Sequence, residues 1–221
     1  MKFHLSLYFE FLSLLFAIIF YSKLELFKLK PFLLLLIVIC ITETCAGNLQ
    51  WFNLHRNHFM YNIYYVLAMP IHFWIFLNIL DYKGFIKILY NVVGVLVMAF
   101  LILNVLFLQG LEEFDVYSVV MAEFIKGILA LMVITKLLRE DDYEIGISND
   151  PYFWIAGATL IFSISAVILF GLQKFILANR IQIGGQNLYR VIIPLVNVFL
   201  YSSYCYAFYL CRKLTRKLSL Q

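Results

Sequence analysis

Seven apolar stretches of about 20 residues run along this chain of 221 residues, and few charged side chains interrupt them. A helix of that length crosses the hydrocarbon core of a bilayer, which is about 30 Å thick. Hydrophobic residues make up 64% of the chain and charged residues only 14%, a composition outside the range of soluble domains. We therefore predict an all-α membrane protein in which residues 1–221 form one domain, a bundle of seven transmembrane helices.

The hydropathy of the sequence sets the bounds of the predicted spans. They cover residues 5–21, 31–49, 61–80, 87–108, 116–138, 152–177 and 191–211. The connections between them are too short for a soluble catalytic or nucleic-acid-binding domain, so we expect no nucleic-acid partner. Any chemistry must lie within the bundle or its loops.

Lysine and arginine residues near the span ends predict how the bundle is oriented. Eleven lie on the side that includes the C-terminus, five lie on the other side, and Lys126 lies inside the fifth span. Cytoplasmic loops are enriched in these residues. We therefore predict a cytoplasmic C-terminus and an external N-terminus, which agrees with an odd number of spans.

Polar residues recur at helical spacing on several of the predicted spans. A polar group at membrane depth needs protein or water around it, so such stripes face the interior of a bundle. On the first span, Ser6, Glu10 and Ser13 form one stripe. Stripes on the second, third, fifth and seventh spans contribute Glu43, Asn62, His72, Glu123, Lys126, Asn197 and Tyr201. The fourth span carries only the scattered Asn91 and Asn104, so we expect it to face lipid more than the others do.

Three carboxylates from different spans share a depth. Glu10, Glu43 and Glu123 each lie roughly 7 to 11 Å below the predicted outer end of their helix, at a rise of about 1.5 Å per residue. Our hypothesis is that the first, second, third, fifth and seventh helices enclose an outward-facing polar cavity ringed by these carboxylates, with Lys126 and His72 a little deeper. The candidate ligand-binding residues are Glu10, Glu43, Asn62, His72, Glu123, Lys126, Asn197 and Tyr201.

The charges of this layer do not balance, because Lys126 offers one positive charge to three carboxylates. A charged group at the bilayer centre costs about 2.5 to 3.5 kcal/mol on insertion scales. The two spare carboxylates are therefore protonated, hydrated, paired with His72 or used to bind a cation. In the structural alternative, Glu123 and Lys126 neutralise each other at spacing i, i+3, and the polar stripes serve only helix packing.

Motifs for catalysis or cofactor binding are missing from the sequence. Residues 191–211 contain no lysine for a retinal Schiff base, and no H-E-x-x-H, G-x-S-x-G or phosphate-binding glycine pattern occurs. His55 and His58 form an H-x-x-H pair without an evident third ligand, and the four cysteines form no C-x-x-C pair. We predict a non-enzymatic protein with no catalytic residues, no metal and no cofactor.

Four segments carry a resemblance to known proteins. They are residues 41–43 (Ile-Thr-Glu), 61–64 (Tyr-Asn-Ile-Tyr), 150–155 (Asp-Pro-Tyr-Phe-Trp-Ile) and the stretch 197–213, which includes Asn197, Tyr201, Tyr204 and the terminal Cys-Arg-Lys. In these segments the chain resembles a family of small seven-helix membrane proteins of Bacteroidota that are often encoded near sensor histidine kinases. The resemblance implies a seven-helix fold in the bacterial inner membrane, and it supplies no catalytic residues. Glu43 and Asn62 are the positions where the resemblance coincides with the hypothesised cavity.

Our leading hypothesis for function is a sensory or signalling module that binds a small polar or cationic ligand in the outer cavity. A bundle without an output domain must signal through helix movement to another protein. We expect a sensor histidine kinase or another membrane protein as that partner, contacted by the acidic loop 140–144 or the basic tail 212–217. The tail also suits anionic headgroups, so membrane lipid is a further expected partner.

Two other functions compete with sensing. A proton- or cation-coupled small-molecule transporter is the alternative, because intramembrane carboxylates also serve coupling. The sequence shows no inverted repeat, which weakens that interpretation. An intramembrane enzyme comes third, since the chain offers carboxylates and a histidine and no complete nucleophile or metal set.

Overall fold

The computed structural model describes residues 5–52, 56–110, 113–139 and 146–218. These ranges are almost entirely helical, which confirms the predicted all-α class. Their α-helices, in chain order, are α1 (Leu5–Ile19), α2 (Tyr21–Leu24), α3 (Pro31–Gly47), α4 (His58–Leu80), α5 (Gly84–Leu103), α6 (Val116–Arg139), α7 (Pro151–Gly171), α8 (Gln173–Ala178) and α9 (Leu188–Leu218). A π-helical turn, Asn104–Leu108, continues α5, and a short antiparallel hairpin, β1 (Gln182–Ile183) with β2 (Gln186–Asn187), precedes α9.

Among the described residues, five helices are long and apolar enough to cross a membrane: α4, α5 with its π turn, α6, α7 and α9. This finding supports the prediction of a multi-pass membrane protein. Helices α1 and α3 are also apolar, but they have only 15 and 17 residues. The count of seven spans and their orientation therefore stay predictions.

Two predicted spans differ in outline from the helices observed. Residues 152–177 fall into two helices, because Leu172 leaves the α-helical region with φ −95° and ψ 10° and separates α7 from α8. Residues 191–211 lie within the longer α9, which starts directly after β2 and continues through the basic tail. Hydropathy marks the apolar part of a helix, whereas backbone hydrogen bonding sets its length.

Local sequence explains where α3 and α7 begin. Pro31 and Pro151 lie in the first turn of these helices. Amides in that turn have no carbonyl acceptor within the helix, so proline, which has no amide hydrogen, costs no hydrogen bond there. Asp150 precedes α7, and its carboxylate accepts a hydrogen bond from the Tyr152 amide at 2.6 Å. The Asp150-Pro151 motif of the family resemblance thus has a helix-capping role in this fold.

Small residues allow the central helices to approach each other. Helix α6 packs against α7, and a methyl group placed on Gly127 would lie 3.5 Å from the Cβ of Ser163. Ala122 and Ala130 of α6 are fully buried. Such residues let membrane helices pack through close van der Waals contact. Helix α5 is the least buried of the five long apolar helices, in agreement with the expectation that the fourth span faces lipid.

Polar contacts of two lysines define one end of the bundle, which we call the lysine end. The Lys136 ammonium of α6 donates to the carbonyl oxygens of Ile79 and Leu80 at 3.0 and 3.3 Å, so the C-termini of α4 and α6 lie together. The Lys28 ammonium lies 2.9 Å from the Asp81 carboxylate just after α4. The turn that follows α2 is thereby attached to the same end.

Asn62, near the start of α4, defines the opposite end, which we call the asparagine end. Its Nδ2 donates to the Glu113 carbonyl at 2.8 Å, and its Oδ1 accepts from the Asp115 amide at 3.2 Å. The Phe114 ring lies 5.6 Å from the Phe170 ring of α7, between centroids. The starts of α4 and α6 and the end of α7 therefore meet here.

Candidate functional site

Glu123 and Lys126 form a buried ion pair on α6. The Lys126 Nζ lies 2.6 Å from Glu123 Oε1, and the two side chains are 7% and 1% exposed. Glu123 also accepts hydrogen bonds from the Tyr65 hydroxyl at 3.3 Å and from Ser163 Oγ at 3.2 Å. The Lys126 ammonium lies 5.9 Å from the Tyr65 ring centroid and 5.6 Å from that of Phe162. Both carboxylate oxygens have partners, so this geometry matches the alternative in which the pair neutralises itself.

The second carboxylate group consists of Glu10 on α1 and Glu43 on α3. Glu10 is 1% exposed, and its Oε2 has no hydrogen-bond partner in the described part of the chain. Glu43 accepts a hydrogen bond from the Tyr61 hydroxyl at 3.1 Å. The two carboxyl groups are close enough that a negative charge on Glu43 acts on Glu10. No lysine or arginine of the described ranges forms an ion pair with either of them.

An unpaired buried oxygen such as Glu10 Oε2 needs a physical explanation. A buried acceptor without a partner costs about 1 to 3 kcal/mol. Native proteins keep such groups where water, an ion or a functional proton satisfies them. The Glu10 and Glu43 arrangement can therefore hold a proton or a small cation, whereas the Glu123 carboxylate is already satisfied.

A small cavity lies among α3, α4, α6, α7 and α9. Its volume is about 30 Å³, and its polar lining includes His72, Lys126 and Tyr201 of the predicted set. Thr159 and Tyr204 also line it and share a hydrogen bond of 3.0 Å between their hydroxyl groups. A space of this size holds about two water molecules. Sites for organic ligands are about ten times larger.

The three carboxylates do not line this cavity, which differs from the ring of carboxylates that we hypothesised. Tyr64 and Tyr201 do line it, and both lie within electrostatic range of Glu10 and Glu43. The polar interior thus has two neighbouring parts. One is the Glu123–Lys126 pair with the cavity, and the other is the Glu10–Glu43 group.

The remaining predicted residues have separate surroundings. His72 lines the cavity, and its Nδ1 donates to the Ala68 carbonyl at 2.9 Å, since a carbonyl oxygen only accepts. Asn62 instead bonds the backbone before α6, as described above, which is a structural role at the asparagine end. Asn197 of α9 is half-buried and does not line the cavity.

A polar cluster that the sequence interpretation missed lies near Asn62. Asp115 Oδ1 accepts from Asn104 Nδ2 at 2.6 Å and from the Ser118 amide at 2.9 Å, and Asn104 Nδ2 also donates to Ser118 Oγ at 3.0 Å. Asp115 thereby caps the N-terminus of α6. The sequence carries one signal for it, an aspartate directly before an apolar run with serine three residues later. Asn104 alone gives no such signal, since its side-chain partners Asp115 and Ser118 lie 11 and 14 residues further along the chain.

Searches among protein families, curated proteins and solved structures found no match to this chain. The resemblance to the Bacteroidota family therefore stays a prediction. The functional proposal therefore rests on the geometry of the bundle.

Proposed function

We propose that this protein is a multi-pass sensory module of the bacterial inner membrane, which binds a small monovalent cation at Glu10 and Glu43 and signals to a membrane partner through helix movement. The observation that carries this proposal is the buried, unpaired Oε2 of Glu10. Lys126 is engaged by Glu123, so it is not free to pair with Glu10 or Glu43 when either of them ionises. A cation supplies both the missing charge and the missing partner.

Helix lengths support seven spans. The Phe20 amide donates to the Phe16 carbonyl at 2.9 Å and the Leu24 amide to the Phe20 carbonyl at 3.1 Å, but Phe20 leaves the α-helical region with φ −101° and ψ 12° and separates α1 from α2. The 15 residues of α1 rise about 23 Å and the 17 residues of α3 about 26 Å, so the first span would include α2 as well. These lengths suit a bilayer of ordinary or slightly reduced thickness. The Lys-rich and Arg-rich side would face the cytoplasm.

The cavity near Lys126 does not offer a site for an organic molecule. Its volume of about 30 Å³ holds about two water molecules and excludes a metabolite of ordinary size, and the Lys126 ammonium in its lining disfavours a cation there. Tyr64 and Tyr201 line the cavity and interact electrostatically with both Glu10 and Glu43. They offer hydroxyl oxygens to an ion or to its water.

Cation binding is tested with purified protein in lipid nanodiscs. Thermal unfolding and titration calorimetry are measured in sodium, potassium or ammonium chloride, with choline chloride at equal ionic strength as the bulky control. We expect one of the small cations to raise the unfolding midpoint, because a ligand at 100 times its Kd stabilises the folded state by about 2.7 kcal/mol. The response should be lost in Glu10→Gln and Glu43→Gln and kept in Glu25→Gln, which alters an exposed acid paired with Lys30. Equal midpoints in all four salts would overturn the proposal.

The partner is expected at the side that carries the basic tail. The acidic loop 140–144, a predicted contact, lies outside the described residues. Lys213 and Lys217 of α9 are exposed and remain candidate contacts for an acidic protein surface or for lipid headgroups. Affinity purification from the native host should recover a sensor kinase or another membrane protein together with this chain. Recovery of the chain alone would argue against a signalling role.

A proton- or cation-coupled transporter is the second candidate, and the unpaired Glu10 carboxylate also favours it. Coupled carriers bind their ions on carboxylates of this kind. Proteoliposomes separate the two functions. A sensor binds the cation with no net flux, whereas a transporter accumulates it or a substrate under a proton gradient and loses this activity in Glu10→Gln.

A further inference from the structure

We propose that the lysine end of the bundle holds a site for an anionic phospholipid, in an open groove along α6. The groove has a volume of about 480 Å³, which is within the range of ligand pockets. Its lining consists of Tyr82, Ile128, Leu131, Met132, Thr135, Lys136 and Arg139. Six of these residues belong to α6, and Tyr82 lies in the turn between α4 and α5. We call this feature the α6 groove.

The α6 groove is apolar along most of its length and basic at one end. Ile128, Leu131, Thr135 and Arg139 recur at spacings of three, four and four residues, so they lie on one face of the helix. Ile128 and Leu131 are 40% and 53% exposed. From Ile128 to Arg139 the helix rises about 16 Å, which is close to the depth of one leaflet of the hydrocarbon core. An acyl chain fits the apolar part, and its headgroup would then lie at the basic end.

Cations at the lysine end complement the charge of an anionic headgroup. Arg139 and Lys83 are exposed, and neither forms an ion pair within the described ranges. Lys83 and Lys136 both act electrostatically on the Asp81 carboxylate, so these two cations lie near the same turn. Asp81 is itself paired with Lys28 at 2.9 Å. A phosphate group at this end would therefore meet several positive charges.

The two parts of the groove together favour a phospholipid over a soluble anion. A free phosphate would use the cations only and would leave the exposed apolar side chains of Ile128 and Leu131 without a partner. Basic pockets on the cytoplasmic side of transmembrane helices bind anionic lipid headgroups. Tyr82 suits the boundary between the two parts, because tyrosine places an apolar ring and a polar hydroxyl at the membrane interface. This site is separate from the Glu10–Glu43 group and does not depend on the function proposed for it.

Lipid binding is tested with purified protein that has been stripped of native lipid in a neutral detergent. Phosphatidylglycerol and phosphatidylcholine with the same acyl chains are titrated in separately. Native mass spectrometry measures the bound lipid, and thermal unfolding gives the midpoint. We expect phosphatidylglycerol to half-saturate at a concentration at least about tenfold lower, because each nearby cation contributes about fivefold to the binding of an anionic lipid.

Three substitutions test the two parts of the α6 groove. Arg139→Gln and Lys83→Gln should each weaken phosphatidylglycerol binding about fivefold and leave phosphatidylcholine binding unchanged. Both residues are exposed, so we expect both variants to fold. Thr135→Trp fills the apolar part at unchanged charge and should weaken the binding of both lipids.

The controls separate the groove from general attraction to basic residues. The double variant Lys213→Gln, Lys217→Gln removes two exposed cations of the tail and should keep the full preference for phosphatidylglycerol. Glycerol phosphate, a headgroup without acyl chains, should leave the midpoint unchanged. Binding of glycerol phosphate as tight as that of phosphatidylglycerol would indicate a site for a soluble anion and overturn the proposal.

The acidic loop 140–144 is the competing partner for these cations. It follows Arg139 directly, carries four acids and lies outside the described residues. If these acids rather than a lipid neutralise the lysine end, wild-type protein will bind phosphatidylglycerol and phosphatidylcholine equally well. That result would overturn the proposal, as would an Arg139→Gln variant and a Lys83→Gln variant that both bind phosphatidylglycerol as wild type does.

Discussion

The ammonium of Lys126 lies 2.6 Å from the carboxylate of Glu123, three residues earlier on α6. Tyr65 and Ser163 complete the hydrogen bonding of that carboxylate at 3.3 and 3.2 Å. The pair is therefore self-sufficient, and its lysine is not free to neutralise Glu10. The buried carboxyl groups without a cationic partner among the described residues are therefore Glu10 and Glu43.

Breaking the Glu123–Lys126 pair should be more damaging than removing it. Lys126→Met leaves a buried carboxylate without its cation, which typically costs about 3 to 5 kcal/mol. The double variant Glu123→Gln, Lys126→Met removes both charges and should recover most of that loss. Unfolding in mixed micelles with increasing SDS measures the free energies, and a double-mutant cycle gives the coupling. Additive effects of the two substitutions would show that the pair contributes nothing specific.

Glu10→Gln and Glu123→Gln should shift the unfolding midpoint in different directions, although the chemical change is the same. In the absence of small cations, Glu10→Gln removes an unpaired buried acid and should leave the unfolding midpoint equal to or above that of wild type. Glu123→Gln strands the Lys126 ammonium and should lower the midpoint by several degrees. Thermal unfolding in choline chloride compares the two variants. A larger loss in Glu10→Gln would contradict the unpaired state of that carboxylate.

The helical class and the approximate positions of the five long apolar helices were predictable, because hydropathy is a local property of the chain. The break at Leu172, where α7 gives way to α8, was missed although Gly171 precedes it and Gln173 and Lys174 follow it, because the apolar residues 175–177 extend the hydropathic stretch past it. The extension of α9 beyond residue 211 was missed because its last turns are basic. The apolar stretch ends there, whereas the helix continues.

The candidate site was predictable only in part. Stripes of polar residues showed that Glu10 and Lys126 face the interior, because each stripe lies on one helix. They did not show which carboxylate Lys126 serves or how much space remains. Those outcomes depend on packing between helices, as does the bond from Asn104 to Asp115 across a loop.

The cap formed by Asp115 gives a stability prediction for α6. Asp115→Ala removes the acceptor for the Ser118 amide and should destabilise the protein by about 1 to 2 kcal/mol. Asp115→Asn keeps that acceptor and should cost much less. Both variants are compared with wild-type protein by unfolding in mixed micelles with increasing SDS. Equal losses in the two variants would mean that the charge matters here and the cap does not.

The Lys28–Asp81 ion pair gives a pH-dependent prediction at the lysine end. Its hydrogen bond, together with the positive charge of Lys28, lowers the pKa of Asp81 below the ordinary value of 3.8. A carboxylate with a lowered pKa in the folded state stabilises the fold at pH values above its unfolded pKa, and this contribution is lost as the pH falls through the folded pKa. Both side chains are half-exposed, so the effect is small and screened by salt.

Asp81→Asn is the matched variant for this pair, because asparagine tolerates the left-handed backbone of position 81, where φ is +52°. At pH 7 and low salt we expect wild-type protein to unfold at a slightly higher temperature than the variant. The difference should shrink as the pH drops below about 4 and vanish once Asp81 is protonated. Thermal unfolding at pH 7, 5, 4 and 3, repeated in high salt, measures it. A gap that stays constant down to pH 3 would show that the variant changes the turn rather than the ion pair.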